Sequence, residues 1–164
     1  MSFFKRIAKY TIIALPILGF GCINAPKYPI EPVIEFSGMT RNTMKQGDIN
    51  TDSLTVFFTF TDGDGDLGSD DTMSIFLIDT RDNNENIKYQ IPFLPEAGAS
   101  KGISGEVSFT LFSTCCIFAD PFIPPCTANA NEPLDTVKYE LYIVDRAGHK
   151  SNIIELDPVI LDCK

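Results

Sequence analysis

The sequence predicts an all-β domain, a single antiparallel sandwich of two sheets and about seven strands, on three observations. Beyond position 32, apolar residues recur with period two, as strands with one buried face require. No stretch after residue 22 carries apolar residues at the 3.6-residue spacing of a helix. Glycine, proline, asparagine and aspartate gather between the alternating runs, where turns need them.

The chain opens on a segment of another kind. Lys5, Arg6 and Lys9 lead into an apolar run, 10–20, that stops at Gly21-Cys22. As a helix this run covers about 16 Å, roughly half the hydrocarbon thickness of a bilayer, so residues 1–21 read as a secretory signal rather than a span. Leu18-Gly19-Phe20-Gly21-Cys22 resembles a lipobox, with Leu18 one place further from the cysteine than usual. That resemblance implies cleavage before Cys22 and lipid on its thiol. It gives a body tethered in the bacterial cell envelope, at the outer membrane. The alternatives are a signal cut nearby that leaves Cys22 as a free or paired thiol, and an uncleaved anchor. A multi-chain lipid holds stably where one chain does not, because each buried methylene contributes about 0.8 kcal/mol.

Residues 22–32 read as the lipidated terminus and an extended tether, with prolines at 26, 29 and 32. Residues 33–164 form the domain. Its strands, in order, are 33–36; 54–60, with Leu54, Val56, Phe58 and Phe60 on one face; 73–79; 87–91; 105–111, with Val107, Phe109 and Leu111 inward; 137–143, with Val137, Tyr139, Leu141 and Ile143 inward; and 151–156. The segment 145–151 joins the last two as a hairpin in which Gly148 takes a positive φ.

The run Tyr139 to Gly148 resembles the penultimate strand and final hairpin of immunoglobulin-like and fibronectin-type-III-like extracellular domains, and Pro32-Val-Ile-Glu-Phe36 is similar to their opening strand. Through the lipobox, Phe60 to Gly68, Cys115-Cys116, Cys126 and Tyr142 to Ser151, most of the mature chain resembles a family of uncharacterised lipoproteins from Bacteroidetes-type bacteria. The resemblance implies a fold and a location and brings no established activity.

Charge narrows the partners. The chain has 13 basic and 22 acidic residues, net −9, and three of the basic ones lie in 1–21, so the remainder carries net −12. Such a surface repels nucleic acid and anionic lipid and favours divalent cations. Nucleic acid is excluded as a partner.

With Cys22 assigned to lipid, Cys115, Cys116, Cys126 and Cys163 remain, an even number in an exported chain. A bond between the neighbours 115 and 116 is strained, which leaves one of them to Cys126 and the other to Cys163. A thiolate metal site is the rival reading. It lacks the two-residue spacings of zinc knuckles and suits a reducing compartment.

Asp62-Gly-Asp-Gly-Asp-Leu-Gly68, followed by Asp70 and Asp71, is the remaining chemical signal. Carboxylates at alternate positions, Asp62, Asp64 and Asp66, can converge on one hard cation when glycines let the backbone curl. The register is not that of an EF-hand, because Leu67 and Met73 stand where that loop needs Gly and a bidentate Glu. Calcium is the ion expected, with Asp70 as a further ligand. In an immunoglobulin-like sandwich the 145–151 hairpin falls at the same end, so Asp145 joins the set. The other reading is a solvated turn, with Asp and Gly present for conformation alone.

Catalysis has little support. His149 is the single histidine, placed in a hairpin without a serine or cysteine motif, and no nucleophile elbow or phosphate loop is present. The expectation is a non-catalytic envelope lipoprotein, a binding or accessory module for an envelope protein or glycan, stabilised by calcium. The alternative is a small envelope hydrolase using a carboxylate pair. Loops 79–86, 92–103 and 113–134 are the candidate binding surface, with Phe93, Phe118, Phe122 and Ile123 as apolar residues that form a contact patch or cover the sandwich end.

Overall fold

The period-two runs become the two longest strands of the fold. In the computed structural model, which describes residues 27–47, 51–95 and 102–164, β3 spans Ser53–Asp62 and β6 spans Ile103–Phe112. They pair antiparallel through ten consecutive residue pairs, from Ser53↔Phe112 to Asp62↔Ile103. Leu54, Val56, Phe58 and Phe60 are buried on β3, and Phe109 and Leu111 on β6, so the inward faces are those the alternation predicts. The signal segment, Cys22 and residues 22–26 of the tether lie outside the described residues.

β1 (Val33–Met39) lies on the other edge of β3, with a register shift between Phe36 and Gly38. β4 (Ile75–Asp79) pairs with β5 (Asn84–Tyr89) and β8 (Tyr139–Ile143), and β9 (Ile154–Glu155) closes that four-stranded sheet in the order β5-β4-β8-β9. A third sheet, ordered β2-β10-β7, contains β2 (Thr43–Lys45), β10 (Val159–Asp162) and β7 (Leu134–Val137). Among the described residues there are ten strands and no helix. The all-β class therefore holds, while the expected two sheets and about seven strands fall short of the three sheets and ten strands formed.

Three differences account for the count. The expected strand 137–143 is two strands: its alternation runs on unbroken, but β7 pairs with β10 and β8 with β4. The exchange of partners falls at Lys138, whose carbonyl accepts from both the amide and the hydroxyl of Thr80, each at 3.1 Å. β2 and β10 were not expected. They pair in parallel, the one exception among the described strands to an antiparallel pattern. The expected loop 79–86 is also shorter, since β5 begins at Asn84 after a tight turn in which Asn83 takes φ 55°.

All three sheets contribute to one hydrophobic core, which includes Ile34, Phe58, Leu77, Leu111, Tyr139, Leu141, Val159 and Leu161. Phe109 meets Phe58 edge-on, with centroids 6.3 Å apart, and Tyr89 at 4.6 Å. Both expected cystine partners are found. Cys115 pairs with Cys126, and Cys116 pairs with Cys163, with Cα atoms 4.5 and 6.1 Å apart. The second bridge is fully buried and ties the residue after β10 to the segment after β6. Gln46 braces it, donating to the Cys163 carbonyl at 2.8 Å and accepting from the Cys116 amide at 3.2 Å.

Candidate metal centre

The strand period itself aims two carboxylates inward. On β3, Leu54, Val56, Phe58, Phe60 and Asp62 are all buried, so Asp62 continues the core face at the strand's last position. On the far sheet Tyr139, Leu141 and Ile143 of β8 are buried, and Asp145, two residues further, keeps their phase. The loop after β3 then curls back over this end. Gly65 and Gly68 take φ 74° and 84°, left-handed values that favour glycine. Leu67 between them is fully buried and anchors the loop.

The result brings together Asp62, Asp64, Asp66 and Asp145, each offering a carboxylate oxygen within 4.8 Å of the others. Asp62 is inaccessible to solvent; its Oδ2 accepts from the Leu67 amide at 3.0 Å. Its Oδ1 is buried and has no hydrogen-bond donor, and the same holds for Asp66 Oδ1. Asp66 Oδ2 accepts from the Ala147 amide at 2.9 Å, joining the loop to the hairpin. Buried acceptors without donors are costly and rare in native structures, and a cation is one agent that satisfies several of them at once.

Electrostatics point the same way. Burial, and next the Asp64 carboxylate beside it, push the Asp62 pKa up to about 6, with Asp66 and Asp145 adding to the rise. Burial also raises Asp66, helped by Asp145 and Asp64 and opposed by the Ala147 amide and Arg146. A carboxylate whose folded pKa exceeds its ordinary value contributes stability below that ordinary value, near pH 4, and loses it as pH rises through about 6. In chelator, the unfolding temperature is therefore expected to fall between pH 4 and pH 7 in a thermal melt. A centre indifferent to pH over that window would contradict this electrostatic picture.

The hairpin supports the ligands from outside. Asp145 Oδ2 lies 2.9 Å from His149 Nδ1, and Oδ1 accepts from the His149 amide at 2.8 Å. The hydrogen bond to Asp145 holds the imidazole pKa above its usual value. An imidazole that donates to a carboxylate ligand fixes that ligand's orientation. Arg146 donates to the Gly68 carbonyl at 2.8 Å and lies over the Phe93 ring at 4.7 Å. Gly148 takes φ 93° in this hairpin, as expected.

Four of the five expected ligands thus converge. Asp70 does not: it is exposed, and its Oδ1 accepts from the Phe93 amide at 3.1 Å. The turn at Leu67-Gly68 carries the chain away before Asp70 is reached, so Asp70 fastens the 92–95 segment instead. The supporting roles of His149 and Arg146 were not foreseen. Their signal was the position of Asp145, in phase with the inward face of the strand before it, which makes the residues of its turn its natural donors.

The apolar loop residues separate. Phe118 is half-buried against the core, and Phe93 is covered on one face by Arg146. Ile123 is half-buried, whereas Phe122 stands 91% exposed at the tip of the Cys115–Cys126 loop. No family model, no curated protein and no solved structure matches this chain.

Proposed function

We propose that this chain is a non-catalytic cell-envelope lipoprotein whose immunoglobulin-like body is held at one end by a bound calcium ion and serves as a binding or accessory module. The observation that carries the reading is the pair of buried, donor-less oxygens on Asp62 and Asp66 inside a cage of four carboxylates. Calcium takes oxygens at about 2.3–2.6 Å, so ligands on opposite sides of the ion stand about 5 Å apart, and oxygens within 4.8 Å of one another can share it. Asp64 is exposed, which leaves a side on which water completes the six to eight ligands calcium takes. A hydrolytic pair stands across a substrate cleft, whereas these carboxylates converge on one another, with Asp62 and Asp145 buried.

The lipid anchor rests on the sequence through Cys22. The partner surface is the 113–134 segment, where the Cys115–Cys126 disulfide and the three prolines it encloses restrain an exposed aromatic, and restraint lowers the entropy lost on binding. An envelope protein or glycan is the class of partner.

Calcium at a hundred times its dissociation constant is expected to add about 2.7 kcal/mol, or about 5–10 °C in melting temperature. Asp64→Ala removes that rise while leaving the core untouched, since Asp64 is exposed. Identical melts in calcium and in chelator for the parent chain would reject the metal centre.

A further inference from the structure

We propose that cation binding at the aspartate centre seats the incoming chain, Tyr28 and Pro29, against the domain, so that the ion sets how firmly the body stands on its anchor. The inference rests on the calcium reading above and, for the anchor, on Cys22.

The chain enters the domain at the end that carries the ligands. Gly63 lies between Asp62 and Asp64, and a Cβ added there would stand 2.3 Å from the Pro29 carbonyl oxygen and 2.6 Å from that of Tyr28. On the neighbouring segment before β6, a Cβ at Gly102 would stand 2.7 Å from Tyr28 Cδ2 and 2.5 Å from the Asp62 carbonyl oxygen. Two glycines therefore open a seat that the tether's backbone and ring fill. Tyr28 is half-buried there, while Lys27 just before it is exposed. Past the seat, Asn152 clamps the start of β1. It accepts from the Ile34 amide at 2.8 Å and donates to the Ile34 carbonyl at 2.9 Å.

The seat and the ligand cage share one stretch of backbone, residues 62–64. With no cation, four carboxylates repel one another across the cage, and the loop that forms one wall of the seat loosens. With a cation they draw together and the wall closes. Binding at either place favours the other by the same factor, because linkage is reciprocal. Tyr28 and Pro29 then lie against the domain in the loaded form and come away from it in the empty one.

The Lys27–Tyr28 bond reports this directly. A protease must draw the residues on both sides of the bond into an extended strand, so Tyr28 has to leave its seat before cleavage, and the rate follows the population of the open form. The full chain in detergent is treated with a lysine-specific protease that does not itself require calcium, in calcium and in chelator, and the fragment starting at Tyr28 is followed by mass. Calcium is expected to slow its appearance about tenfold or more. Tyr28→Ala removes the ring that fills the seat and leaves residues 62–64, with every carboxylate, unchanged. It should be cut quickly in both media and still melt higher in calcium. Equal cleavage rates in the parent, with the calcium-dependent melting rise intact, would overturn the seat and leave the metal centre standing. Equal rates together with identical melts would overturn both.

Discussion

Replacing Cys116 and Cys163 together by alanine is expected to cost about 4 kcal/mol of stability. The bridge closes a 47-residue separation, and the chain-entropy model gives about that value for a loop of this length. Its setting adds to the loss. Both sulfurs are fully buried in the core, and β10 is held by only four residue pairs to β7 and three to β2. Cutting the bridge leaves a four-residue terminal strand to hold itself in place. Domains of this size have about 5–15 kcal/mol in hand, so the variant should unfold at a fraction of the parent's urea concentration. Urea titration in oxidising buffer is the measurement, and a midpoint within 0.3 M of the parent, a margin of about half a kcal/mol, would show that the bridge is idle. The Cys115–Cys126 bridge spans 11 residues, for which the same model gives about 3 kcal/mol.

Arg81→Ala is expected to cost about 3 kcal/mol, by stranding two carboxylates. The guanidinium is nearly buried between Asp79, at 2.6 Å, and Asp135, at 2.5 Å, and also donates to the Cys115 carbonyl at 3.2 Å. It joins the β4–β5 turn, the strand β7 and the disulfide loop in a single contact. Removing it leaves Asp79 and Asp135, with side chains 9% and 17% exposed, without their counter-charge and with only backbone amides as donors. Lysine should restore only part of the loss, because the planar fork that engages Asp79 through two nitrogens is lost. Chemical denaturation of the two variants beside the parent tests both statements. A loss below about 1 kcal/mol for alanine would place the ion pairs in the surface class.

Legibility followed how local the cause was. β3 and β6 were visible because each has ten residues with one buried face, and alternation is a local consequence of that burial. β2 and β10 were hidden because three and four residues carry too little pattern, and they pair in parallel across segments far apart in sequence. The division at Lys138 was hidden for the opposite reason. Its pattern is continuous, and only the identity of the neighbouring strand changes. At the site, Asp62, Asp64 and Asp66 were legible from spacing, and Asp145 from the shared end of the two connections. Asp70 was misplaced because spacing alone does not show where a loop turns away. The paired cysteines were legible by elimination down to a choice of two, which the core settles by burying Cys163 beside Cys116.

The adjacency of Cys115 and Cys116 also determines how the body answers a pull. A load applied between Phe122 and the start of β1 would pass through the Cys115–Cys126 crosslink and into the end of β6. From there it runs along the ten-residue ladder to β3 and across to β1, the strand that leads back to the tether. Force along that route shears many hydrogen bonds in parallel, where a load on an unlinked loop would peel them one by one. The Cys115–Cys126 staple thus lies on the path of such a load.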